Sequence, residues 1–279
     1  MMKRLADAFP SAVAQLTLQY RMNADICQLC NIVVYKGKLL CGNDDVRSRK
    51  LELPSFPRNL KEMFCGERGF GWLLNVLNPN KAVVFVNTDE VGVGFHEIVG
   101  RSRDGGGPMN EIEAKLTRLL VHGLNSCGLE TNSIGVICPY RSQVRKTFSF
   151  HRNSCSKTLI LFLMWQLKLL HDDEYLHFKK KDGLEISTID RYQGRDKEAI
   201  IISLVRSNAQ SRTGKLLDDY RRINVALSRA KKKLIIVGSF KTIHSGSRTL
   251  RPILQEISDR NWVMTLPQNA IELYKIPSQ

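Results

Sequence analysis

Ser187-Thr188-Ile189-Asp190-Arg191-Tyr192-Gln193-Gly194-Arg195-Asp196-Lys197 decides the reading of this chain. An apolar run at 184–189 leads into it, a polar turn containing Gly194 follows, and a second apolar run at 199–205 leads out. Short, continuous apolar runs of this kind suit strands buried on both faces of a sheet. The turn follows the carboxyl end of a strand, the edge at which open α/β sheets bind ligands. Gly194 allows a left-handed backbone or close approach, and Asp196 can accept from a ribose hydroxyl or hold a neighbouring arginine.

The same alternation extends in both directions. Residues 81–87 and 133–138 are further strand-like runs, the second closed by Pro139, and 233–238 is the last. Between them, 110–124 places Ile112, Leu116, Leu119, Leu120 and Leu124 on one helical face behind an Asn110 N-cap, and 249–257 reads as another helix. The pattern predicts an α/β fold with a mainly parallel sheet flanked by helices. Two pieces interrupt it. Residues 44–80, rich in Pro, Gly, Arg and Lys, read as a surface excursion, and 148–182 pass from a greasy stretch into a charge-dense one. One domain over 1–279 with insertions at about 44–80 and 148–182 is the simplest organisation.

Forty-two Lys and Arg against 27 Asp and Glu leave a formal charge of +15, an excess that favours a polyanionic partner, nucleic acid first. The seven cysteines are odd in number and irregularly spaced, which fits a reducing compartment better than a secreted disulfide scaffold. Cys27 and Cys30 form a CxxC without a second ligand pair at zinc-finger spacing; on a helix at 24–34 they read as buried structural thiols. No metal ligands are assigned. The longest apolar run, 159–165, is too short to cross a bilayer, so no membrane partner is expected. Met1-Met2-Lys3-Arg4 carries neither a secretory core nor a transit pattern.

Downstream, Arg221-Arg222-Ile223-Asn224-Val225-Ala226-Leu227-Ser228-Arg229-Ala230-Lys231 reads as a helix packed on the sheet, bringing three guanidinium groups near the polar turn. Arginine suits phosphate because its fork donates two parallel hydrogen bonds and its charge persists at any working pH. A basic solvated helix would account for the composition equally well.

The ordered set goes further. Gln19-Tyr20-Arg21-Met22, Cys138-Pro139-Tyr140-Arg141-Ser142-Gln143, the Thr188 to Lys197 motif and the Arg222 to Lys231 motif follow one another as in the second RecA-like domain of superfamily 1B helicases, which the chain resembles over nearly its whole length. Within that superfamily it is most similar to the eukaryotic DNA replication helicase/nucleases, which also have a stretch like Tyr35-Lys36-Gly37-Lys38-Leu39 after the QYRM motif. The resemblance implies a RecA-like, P-loop NTPase-type fold and an ATP-dependent 5′ to 3′ DNA helicase of replication and repair, acting in the nucleus. Arg21 and Arg229 would meet the γ-phosphate as the catalytic arginines. Tyr20, Gln193, Gly194 and Asp196 would bind the nucleotide, with Gln193 linking that pocket to the strand face. Tyr140 and Thr188 would touch single-stranded DNA, mostly its backbone. ATP and Mg²⁺ would be shared with a first RecA-like domain, in cis or in trans, at whose seam the chain is expected to begin.

That expectation follows from what the sequence lacks. It contains no G-x-x-x-x-G-K-[ST] and no Walker B candidate, so the chain alone is expected to hydrolyse ATP weakly or not at all. Two other readings stay open: a non-catalytic nucleic-acid-binding fragment, and a helicase domain acting on RNA.

Overall fold

The computed structural model describes residues 4, 8–14, 16–64, 70–91, 97–99, 107–152, 177–179, 183–192 and 194–271. In chain order the strands are β1 (Leu18–Gln19), β2 (Leu40–Cys41), β3 (Val83–Asn87), β4 (Ile98–Val99), β5 (Pro108–Met109), β6 (Ile134–Cys138), β7 (His177–Lys179), β8 (Glu185–Thr188), β9 (Lys197–Ser203), β10 (Ala230–Gly238) and β11 (Val263–Thr265). Seven of them form one sheet in the order β11-β3-β10-β9-β6-β8-β7. All its pairings are parallel except β7 with β8 at one edge. The sheet and its helices make the mainly parallel α/β fold expected from the alternation, and with it the RecA-like fold that the resemblance implies.

The strands are apolar throughout because both faces are covered. Along β10, Leu234 and Ile236 face one core while Ile235 and Val237 face the other; β9 repeats this with Ile200 and Ile202 against Ala199 and Ile201. On the first face lie α1 (Ala24–Cys30), which carries the buried Cys27 and Cys30, and the later helices α7 (Tyr220–Leu227), α8 (Phe240–Gly246) and α9 (Arg251–Asp259). On the second face lie α3 (Arg58–Met63), α4 (Gly71–Leu77) and α5 (Glu111–Ser126), whose N-cap is Asn110 as expected. Two further helices, α2 (Asp44–Arg47) and α6 (Arg141–Arg152), complete those used below.

The stretch 44–80 is not the surface excursion that its composition suggests. Leu51, Leu53, Leu60, Phe64, Trp72, Leu73, Val76 and Leu77 from it are buried in the second core. Its helices run for only four to seven residues, too few turns for an apolar stripe to emerge from the sequence. Of 148–182, residues 153–176 and 180–182 lie outside the described residues, so the greasy stretch within them is left at the sequence reading.

Candidate functional site

Because the strands are parallel, the sheet has an amino edge and a carboxyl edge, and the motif residues divide between them. Thr188 ends β8 and pairs in register with Cys138, the last residue of β6, two residues before Tyr140. Both therefore belong to the carboxyl edge. Asp196 immediately precedes β9 and Arg229 immediately precedes β10, and the Lys197 amide donates to the Arg229 carbonyl at 3.0 Å. They belong to the amino edge. The expectation that the whole polar turn lies at carboxyl ends is thus corrected. β8 and β9 run in the same direction, so the segment joining them must travel the length of the sheet. It delivers Thr188 at one edge and Asp196 at the other, roughly 20 Å away for strands of this length. Gly194 takes φ +83°, in the left-handed region, just before Asp196, and a Cβ there would meet no neighbour within 4 Å. Gln193 lies outside the described residues.

At the amino edge, two arginines from opposite ends of the chain meet on one carboxylate. Arg21 Nε is 2.6 Å from Asp196 Oδ2, and Arg229 Nη1 is 2.8 Å from Asp196 Oδ1. Arg229 is held on three sides, its Nε donating to the Val225 carbonyl at 3.1 Å and its Nη2 to Ser228 Oγ at 3.2 Å. Burial lowers its pKa, the adjacent Arg21 charge adds to this, and Asp196 opposes it. Arg21 is more open, with 39% of its side chain exposed, and also donates to the Ser228 carbonyl.

The loop carrying Arg21 is fixed by its own motif. Gln19 Oε1 accepts from the amides of Arg21 and Met22 at 2.9 and 2.8 Å, and Gln19 Nε2 donates to the Met22 carbonyl at 2.7 Å. Asn23, buried, accepts from the Ile26 amide to start α1 and donates to the carbonyls of Arg49 and Lys232. Arg49 Nη1 donates to the carbonyls of Tyr20 and Arg21 at 3.1 and 3.2 Å. Tyr20 remains 60% exposed, its ring lying against Gly42.

The arginine-rich motif is not a single helix. α7 ends at Leu227, and Arg229 lies in the turn beyond it. Arg222 pairs instead with Asp190 at 2.9 Å, and the Arg221 guanidinium lies 5.1 Å from the Tyr220 ring centroid. Of the three guanidinium groups expected together, only Arg229 reaches Asp196: Arg221 and Arg222 lie in the first turn of α7, at the other end of the helix from the turn that carries Arg229.

At the carboxyl edge, Tyr140 donates from its hydroxyl to the Thr213 carbonyl at 3.1 Å. Burial raises its pKa, and the nearby Arg206 guanidinium counteracts this. Arg206 is bound to Glu97 at 3.0 Å and donates to the Arg212 carbonyl at 2.8 Å; Glu97 also accepts from the Ser207 amide at 2.8 Å. Loop 204–213 is thereby closed around Tyr140. Sequence reasoning missed Arg49, Glu97, Arg206 and the Asp190–Arg222 pair. Each acts on a partner distant in the chain, and no spacing rule signals such a partner.

The parallel sheet together with two arginines on its amino edge defines the second RecA-like domain of a superfamily 1B helicase, and the chain belongs to the AAA domain family, whose profile matches residues 1–241. Among its relatives, the DNA replication ATP-dependent helicase/nuclease DNA2 of Saccharomyces cerevisiae is 37% identical over 282 residues, covering 100% of this chain and 16% of that protein. DNA2 of Homo sapiens is 35% identical over 265 residues, covering 94% of this chain and 22% of its own length. The Arabidopsis thaliana helicase/nuclease JHS1 is 34% identical over 268 residues, covering 95% and 17%. The chain thus spans between 16% and 22% of the length of these relatives. No helix among the described residues is long and apolar enough to cross a membrane.

Proposed function

We propose that this chain is the C-terminal motor domain of an ATP-dependent 5′ to 3′ DNA helicase of the replication and repair helicase/nuclease type, working in the nucleus. The observation that carries this reading is the convergence of Arg21 and Arg229 on Asp196. Two guanidinium forks against one carboxylate leave a local excess of positive charge, part of it open to solvent, which suits a terminal phosphate. Both Asp196 oxygens are engaged by arginine, so the group fits an anion and not a cation. The Mg²⁺ ligands and the phosphate-cradling loop therefore belong to a first RecA-like domain, supplied in cis or in trans.

In this mechanism Arg21 and Arg229 exchange Asp196 for the γ-phosphate and stabilise the charge that develops during phosphoryl transfer. Asp196 and Gly194 then face the sugar and phosphate region, with Gln193 leading toward the strand face and the Tyr20 ring beside the nucleotide. On the opposite edge, Tyr140 and Thr188 meet the backbone of single-stranded DNA, in keeping with the +15 charge. Domain closure around ATP would be communicated across the sheet by the segment 189–196.

Alone, the chain is expected to hydrolyse ATP weakly or not at all, and DNA-stimulated turnover is expected when a separately made first RecA-like domain is added. Robust turnover by the chain alone would overturn the dependence on a partner domain. Binding of single-stranded DNA, weakening between low and high salt, tests the strand edge; absence of binding at low salt would remove that part of the proposal. RNA of equal length in the same titration decides the substrate class.

A further inference from the structure

The Asn110-x-x-Glu113 spacing at the start of α5 looks like a capping box, in which the fourth residue's side chain reaches back to the first residue's amide. Only half of that box forms. Asn110 Oδ1 accepts from the Glu113 amide at 3.1 Å, but the Asn110 amide donates to Gln143 Oε1 at 2.8 Å. Gln143 on α6 has taken over the capping contact, and the Glu113 carboxyl turns inward, fully buried.

There it grips the exit of β9. Glu113 Oε2 accepts from Ser203 Oγ at 2.6 Å and from the Val205 amide at 2.8 Å. Ser203 Oγ in turn accepts from Gln143 Nε2 at 3.2 Å, which also donates to the Asn110 carbonyl at 3.0 Å. Two costly features meet at this point. Val205 has φ +72°, a left-handed conformation that a β-branched residue rarely adopts. Glu113 Oε1 is buried with no hydrogen-bond partner among the described residues. Immediately after Val205 come Arg206 and the loop that closes on Tyr140 through the Thr213 carbonyl.

We propose that Glu113 is a positioning residue for strand binding: its carboxyl locks the left-handed exit of β9 and so presents loop 204–213 and Tyr140 to the nucleic acid. The carboxyl itself does not touch the strand. This rests on the reading of Tyr140 as a strand contact, and the two are separable by experiment.

The affinity of the full chain for a fluorescein-labelled single-stranded DNA is measured by anisotropy, alongside hydrogen exchange of residues 204–213. Glu113→Ala is expected to lower affinity roughly tenfold, the scale of two lost hydrogen bonds, and to speed exchange in the loop. Glu113→Gln keeps the acceptor and is expected to restore both to wild-type values, whereas Glu113→Met fills similar space without an acceptor and is expected to behave like Glu113→Ala; wild-type behaviour of Glu113→Met would reduce the residue to filling space. If Glu113→Ala does not fold, Ser203→Ala removes one of the two donors and is expected to give a smaller loss of the same kind. Folded variants lacking either partner, with unchanged affinity and unchanged exchange, would overturn the proposal. Tyr140→Ala is the control for the underlying reading: if it leaves affinity intact, the strand contact itself is wrong, whereas an effect of Tyr140→Ala without one of Glu113→Ala removes only the positioning role.

Discussion

At the amino edge of the sheet, Arg21 and Arg229 share a carboxylate whose side chain is still 24% exposed; at the carboxyl edge, Glu113 lies out of solvent with no cation against it among the described residues. The first arrangement keeps its charges and can exchange partners. The Arg21–Asp196 pair, with both side chains open to water, contributes only about 0–1 kcal/mol, so Arg21 can exchange Asp196 for a phosphate with little disruption. The second arrangement holds its carboxyl neutral and uses it as a fixed acceptor for the backbone. Burial pushes the Glu113 pKa up to about 8, with the hydrogen bonds from Ser203 and Val205 opposing and the Glu97 charge adding. One edge is built to respond to a ligand, and the other to hold a shape.

The largest expected effect breaks the amino edge alone. Arg229→Ala, measured as DNA-stimulated ATP hydrolysis in the presence of a first RecA-like domain, is expected to lower turnover on the order of a thousandfold, the scale of an arginine contributed to phosphoryl transfer. Affinity of the same variant for single-stranded DNA is expected to stay within about twofold of wild type, since the strand edge lies a sheet-length away. A comparable loss in both assays would mean that the two edges are not separate sites.

Next in size is a substitution that breaks the carboxyl edge. A Cβ on Gly246 would lie 1.9 Å from the Ser211 carbonyl oxygen and 2.9 Å from Thr213 Cγ2, so α8 can approach loop 204–213 only with glycine there. Backbone cannot rotate aside as a side chain can. Gly246→Ala is expected to destabilise the fold by about 1–3 kcal/mol in denaturant unfolding and to weaken strand binding through the displaced loop. Unchanged stability would mean that the loop is not held against α8.

Much of this division was hidden in the sequence, for identifiable reasons. The strands could be read because residues such as Leu234 to Val237 are apolar without interruption, and α5 could be read because its stripe spans four turns behind a capping Asn110. The ordered motifs single out the arginines and Asp196, which the fold brings together. Their edge could not, because the connection from Thr188 to Asp196 looks like a local turn and in fact traverses the sheet. Glu113 carried a misleading signal: its spacing from Asn110 indicates a cap, and only the tertiary position of Gln143 frees it for another use. Short helices such as α3 and α4 gave no periodicity from which their burial could be inferred.

The edges also differ in how stability should respond to pH. Glu113 holds its proton in the fold up to about pH 8, while in the unfolded chain it releases it near its ordinary value of 4.5. Between those values the folded state binds more protons, so this group makes stability fall as pH rises, by about 1.4 kcal/mol per pH unit at most. Among the described residues the Glu97 charge acts on it, and the Glu113 charge in turn raises the buried Cys138 thiol. Toward the amino edge, Lys233 is buried, donating to the carbonyls of Asn78 and Lys81 at 2.9 and 2.6 Å, and burial, with the Lys81 charge adding, lowers its pKa to about 7 from 10.5. Between those values the unfolded state binds more protons, so Lys233 makes stability rise with pH. Urea unfolding from pH 5 to about pH 8.5 is expected to pass through a minimum between about pH 7 and 8; at higher pH the thiols of Cys27, Cys30, Cys127 and Cys138, which burial raises above their ordinary value, make stability fall again. Glu113→Gln should flatten the falling limb and Lys233→Met the rising one; limbs that survive both substitutions would assign the dependence to other groups.

The smallest effect returns to the amino edge and asks how adaptable it is. A Cβ on Gly42 would lie 2.2 Å from Tyr20 Cε1, as severe an overlap on paper as the one at Gly246. The obstacle here is an aromatic ring that is 60% exposed, and it can swing into solvent without moving the backbone. Gly42→Ala is therefore expected to change stability by no more than about 0.5 kcal/mol, the usual range at the surface. It should nevertheless move Tyr20 away from the place proposed for the nucleotide. With the first RecA-like domain present, KM for ATP is expected to rise while kcat stays near wild type, because the ring contributes binding that is the same before and during phosphoryl transfer. A fall in kcat of the size caused by Arg229→Ala would instead mean that the Tyr20 ring and the Arg21 guanidinium move as one unit, and that the amino edge is as rigidly held as the carboxyl edge.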